Sequence, residues 1–68
     1  MKYAYTTWVM MNSDNDVVSE EHNHPEEVIS EMKERGYTLE DMREMGLTCN
    51  KLLCDENSWL ECLDEYEY

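Results

Sequence analysis

The chain has 68 residues and carries 17 Asp and Glu against five Lys and Arg, a formal net charge of −12. That charge argues against anionic membrane surfaces and against direct contact with nucleic acid, whose phosphates need cations to neutralise them. A chain this short forms one domain that buries only about 60% of its unfolded surface, yet 41% hydrophobic residues with two Trp and five Tyr exclude a disordered chain.

Lys2 to Met11 is rich in Tyr, Thr, Trp and Val and reads as a strand. Tyr3, Tyr5, Val9 and Met11 share one face and Ala4, Trp8 and Met10 the other. Both faces are largely apolar, which predicts a central strand or one lying against a partner. Asn12 to Asp16 is a run of turn formers, and Val17-Val18-Ser19 starts a return strand, giving an N-terminal β-hairpin.

His24-Pro25-Glu26-Glu27 opens a helix, because Pro suits the first helical position and acids favour the N-terminal end of the dipole. The helix is expected to run to about Arg35 and stop at Gly36, with Val28, Ile29 and Met32 inward. Glu27, Glu31 and Glu34 form an outward acidic stripe with steps of ~6 Å. Thr38 caps a second helix, with Asp41 three residues on and Gly46 at its end. Leu39, Met42 and Met45 face inward there, and Glu40, Asp41 and Glu44 outward.

The C-terminal third has two readings. Cys49 to Cys54, a turn at 55–58 and Trp59 to Tyr68 make a C-terminal β-hairpin; alternatively Ser58 caps a third helix with Trp59, Leu60, Leu63 and Tyr66 inward. In the strand reading Glu65 and Glu67 share a face ~7 Å apart, within an acidic run that also holds Glu61 and Asp64. The expectation is a single α+β domain over residues 1–68, its helices covering one face of the sheet. The expected core is Trp8, Val9, Val28, Ile29, Met32, Leu39, Met42, Leu52, Leu60 and Leu63.

Gly36 to Thr48 resembles the first helix and turn of a helix-turn-helix, with Thr48 at the start of the next helix. It departs from that motif at Met42, where a small residue normally lets the helices approach. Its would-be recognition helix offers Lys51 and then Asp55 and Glu56, the wrong charge for phosphates. Cys49, Cys54 and Cys62 are odd in number, which predicts free thiols. Their spacing, taken with His22 and His24, is unlike common zinc modules. Neither a metal nor a cofactor is expected. With no phosphate loop or zinc-protease helix and with carboxylates everywhere, no enzyme is expected either. The N-terminus has no leader-like cleavage site, which makes the cytoplasm the expected compartment.

The charge exceeds the magnitude of ~2–8 that solubility asks of a small domain, and the acids run from Asp14 to Glu67 without matching cations. In composition the whole chain resembles the small acidic phage-encoded inhibitors that mimic nucleic acid. These comprise anti-CRISPR proteins, anti-restriction proteins and inhibitors of DNA-repair glycosylases, and the numerous, sequence-diverse anti-CRISPR class is the favoured one. The resemblance implies stoichiometric occlusion of a basic nucleic-acid-binding protein or ribonucleoprotein complex. The carboxylates read as contacting such a partner are Glu27, Glu31, Glu34, Glu40, Asp41, Glu44, Glu61, Asp64, Glu65 and Glu67. The alternative is a protein–protein module that binds through Trp8, Trp59, Tyr66 and Tyr68, with acidity serving solubility. A homodimer would add burial to so small a core.

Overall fold

Side-chain alternation decides the first strand. In the computed structural model, which describes residues 4–56 and 58–68, β1 spans Tyr5–Met11. Trp8 and Met10 point to one side, and Val9 and Met11 pack on the other. Lys2 and Tyr3 lie outside the described residues. Three antiparallel strands follow the order β1-β2-β3, with β2 at Thr48–Cys54 and β3 at Trp59–Tyr66. The central strand is therefore β2, not β1. What makes β1 apolar on both faces is the helix layer on one side and a separate small cluster on the other. The N-terminal hairpin takes a reduced form. Asn12 Oδ1 accepts from the backbone N–H groups of Asp14 and Asp16, Asn15 takes a left-handed φ of 64°, and the chain returns along the outer edge of β1. Contact there is by isolated bridges, Met11 with Val17 and Trp8 with His22.

Two helices follow, α1 at Pro25–Glu34 and α2 at Leu39–Glu44. Each is punctuated as its sequence predicts. The Glu27 carboxylate accepts from His24 N–H at 3.2 Å, and Thr38 Oγ1 accepts from Asp41 N–H at 3.0 Å while Asp41 accepts from Thr38 N–H. Both helices end in the same left-handed glycine motif. Gly36 (φ 99°) and Gly46 (φ 72°) donate to Lys33 and Arg43, and the next residues, Tyr37 and Leu47, donate back to Met32 and Met42. Each donor–acceptor pair of that last bond also meets in the core, so cap and packing support each other.

The main core joins Met10, Val28, Ile29, Met32, Met42, Leu47 and Cys49 between helices and sheet, with Trp8, Val18, Tyr37, Leu39, Tyr66 and Tyr68 against it. A second cluster, Val9, Met11, Leu52 and Cys54, lies on the opposite sheet face. Met45, expected inward, is the α2 cap residue and is exposed, as are Leu60 and Leu63. Their exposure has a register cause. Lys51 pairs with Asp64 but Leu52 with Cys62, and Leu53 pairs with Glu61 but Cys54 with Trp59. Leu63 and Leu60 are thus the extra residues of two bulges and leave the pleat that would have buried them. Because the last segment is a strand, the third-helix reading is excluded. The helix-turn-helix resemblance ends at Thr48, where a strand begins instead of a helix.

A candidate acidic interaction surface

The return segment after the first turn and the exposed side of α1 together build an acidic groove. Trp8 N–H donates to His22 O at 2.8 Å and His22 N–H to Trp8 O at 3.0 Å, which fixes Glu20 and Glu21 beside the sheet edge. Between them and α1 lies an open groove of about 620 Å³, lined by Glu20, Glu21, His22, Glu26, Glu27, Ser30, Glu31, Glu34 and Arg35. Six carboxylates therefore face one arginine and one histidine. Glu20, Glu21 and Glu26 escape a helix-stripe reading, since two of them come from a loop. The available signal was their cluster just before the Pro25 helix start.

Glu31 is not an outward stripe residue. Its side chain is only 13% exposed and acts as a hub. It accepts from Glu20 N–H at 3.0 Å, lies 2.7 Å from His22 Nε2 and 2.5 Å from the Arg35 guanidinium. Burial pushes its carboxyl up. The His22 hydrogen bond, the Glu20 N–H and the charges of Arg35 and His22 outweigh that and hold it below the usual range. Arg35 also donates to Val18 O. Glu27 and Glu34 are exposed, although Glu27 also serves the α1 cap.

On α2, Glu40 and Glu44 face water, whereas Asp41 is committed to its cap. Hydrogen bonds from the Thr38 backbone and hydroxyl hold its carboxyl below the usual carboxylate range. On β3, Glu61, Asp64 and Glu65 are exposed, and Asp64 accepts from Glu65 N–H at 2.8 Å. Glu67 is exposed and lies one residue past the end of the strand. The aromatic patch breaks up: Trp8, Tyr66 and Tyr68 pack against the core, while Trp59 stays at the surface.

All three cysteines are free. Burial, helped by the charges of Glu26 and Glu65, pushes the Cys49 thiol up to about 12, and burial raises Cys54. Cys62 is exposed. Among the described residues no three His, Cys, Asp or Glu side chains are grouped so as to hold a metal ion, and no helix is long and apolar enough to cross a membrane. Comparison with protein-family models, curated proteins and solved structures finds no match for the chain.

Proposed function

We propose that this protein is a non-catalytic inhibitor that occupies the cationic cleft of a nucleic-acid-binding protein or ribonucleoprotein, with carboxylates standing where phosphates would lie. A CRISPR effector is the favoured target. The observation that carries this reading is how the charge is left. Among the described residues both ion pairs converge on Glu31, so Glu20, Glu21, Glu26, Glu27 and Glu34 line one groove with no cationic partner among them. Exposed charges held on a helix and a pinned loop meet successive Lys and Arg side chains with little ordering cost. Association with such a cleft is steered and salt-sensitive.

The test is inhibition of purified effector complexes across a salt series, using wild type and the double reversal Glu26→Lys, Glu34→Lys. Both positions are exposed and outside the Glu31 hub. Inhibition should weaken steeply with salt and fall by at least about 100-fold in the reversed variant, consistent with several lost charge contacts. Salt-independent binding, or a folded reversal variant with full potency, would overturn the reading.

A further inference from the structure

The helices pack against one face of the sheet, and the second cluster lies on the other. There the second cluster sits nearly inaccessible, with Val9 and Leu52 at 1% exposure. Over Val9, Leu52 and Cys54 runs an open groove of about 310 Å³, walled by Tyr5, Val17 and Trp59. The walls are 43%, 44% and 41% exposed, so an apolar trough stands open in water. Its remaining lining includes Glu21, Asp55 and Glu56, and among the described residues no Lys or Arg lines it.

We propose that this trough anchors an apolar side chain presented by a cationic extended segment of the protein that the acidic groove binds. The identity of that protein as a basic one rests on the proposed function; the anchor itself rests on the trough. Two observations select the occupant. Charge comes first: a second copy would bring its own −12 and the same acidic rim, whereas Lys or Arg flanking an apolar residue would meet Glu21 and Glu56. Continuity comes second. Glu21 lines both the trough and the α1 groove, and Tyr5 Oη donates to its carboxylate at 3.0 Å, so one partner surface can span both. Binding is through side chains and not through strand addition, because two bulges interrupt the regular register of β3, and bulged edge strands are poor templates for pairing.

The experiment titrates isotope-labelled protein with three end-capped peptides, Lys-Leu-Lys-Leu-Lys, Lys-Gly-Lys-Gly-Lys and Glu-Leu-Glu-Leu-Glu, followed by NMR. The first should shift the amides of Val9, Leu52 and Cys54 and the Trp59 indole N–H; the second should shift only α1-groove amides, and the third none. Trp59→Ala and, independently, Val17→Ser should weaken the first peptide about tenfold, the loss expected of an anchor residue. Both positions are exposed, and either variant keeps the test alive if the other misfolds. Equal shifts from the Leu and Gly peptides, or unchanged binding by both variants, would overturn the anchor. So would concentration-dependent trough shifts accompanied by a dimer in sedimentation, which would assign the trough to a second copy. Glu26→Lys, Glu34→Lys separates the two readings. Lost inhibition with no trough binding sinks the anchor alone, and trough binding with intact inhibition supports the anchor while sinking mimicry.

Discussion

Replacing Glu31 with Ala should cost far more stability than replacing any other acid on α1. The carboxylate ties α1 to the return segment through Glu20 N–H, His22 Nε2 and Arg35. The Arg35 contact is half-exposed and four residues away on one helix, which limits it to ~0.3–0.5 kcal/mol. The bonds from Glu20 and His22 are better shielded and charge-assisted, and each contributes ~1 kcal/mol once partial solvent access is discounted. The sum is about 2–3 kcal/mol, a large share of the ~3–10 kcal/mol available to a domain of this length. Thermal midpoints should fall by ~10–20 °C at the ~4–8 °C per kcal/mol typical of small domains. Urea unfolding followed by tryptophan fluorescence measures the difference, with Glu34→Ala as the exposed control expected within ~0.5 kcal/mol of wild type. The pH dependence has a definite sign. Because the folded carboxyl lies below its ordinary 4.5, the stabilisation is complete above that value and is lost as pH falls through the folded one. The gap between wild type and Glu31→Ala should therefore close in acid. A Glu31→Ala variant within ~0.5 kcal/mol of wild type at pH 7 would refute the hub.

Removing Asp64 to Tyr68 should unfold the protein: Tyr66 and Tyr68 pack on the core, Tyr68 Oη donates to Leu47 O, and Arg43 both donates to Tyr68 O and lies 5.5 Å over its ring. Tyr68→Phe alone should cost about 1 kcal/mol in a thermal melt, so Glu61→Gln with Glu65→Gln is the clean probe of target contact on β3. In native protein at neutral pH, mass spectrometry after brief alkylation should find Cys62 modified and Cys49, with its thiol near 12, protected until unfolding. Cys62→Ser should leave inhibition unchanged, and loss of inhibition would show that this thiol has a role.

What was legible from sequence was local. Pro25, Gly36, Thr38 and Gly46 delimit both helices because caps act over a few residues, and period-two alternation gave both faces of β1. What was hidden was set by non-local pairing. Leu60 and Leu63 look like core residues until register with β2 puts each in a bulge, while Met10, Cys49 and Leu47 become core only where helices meet sheet. The acidic stripe failed at Glu31 for the same reason. Helical spacing alone groups it with Glu27 and Glu34, but its partners His22 and Glu20 arrive from a loop nine and eleven residues away.

The use made of the arginines separates charge kept for binding from charge kept for solubility. Arg35 is committed to Glu31 and Val18 O, and Arg43 to Tyr68, so both hold the fold together and neither pairs with the other five carboxylates of the α1 groove. Those carboxylates repel one another. At ~8–10 Å in water each pair costs ~0.4–0.5 kcal/mol before screening, and Glu34, in the last turn of α1, also opposes the helix dipole by ~0.3–1 kcal/mol. Glu20 and Glu34 are exposed, and no side-chain hydrogen bond of either supports the fold among the described residues. The double variant Glu20→Gln, Glu34→Gln should therefore be more stable than wild type by about 0.5–1 kcal/mol at low salt. The gain should shrink towards zero near 1 M salt, where the screening length is ~3 Å. The same variant should inhibit less well, because the repulsion being relieved is what the cationic cleft would otherwise relieve on binding. Stability gained with potency intact would assign these acids to solubility, and stability lost would mean that they hold the fold in a way their surroundings do not show.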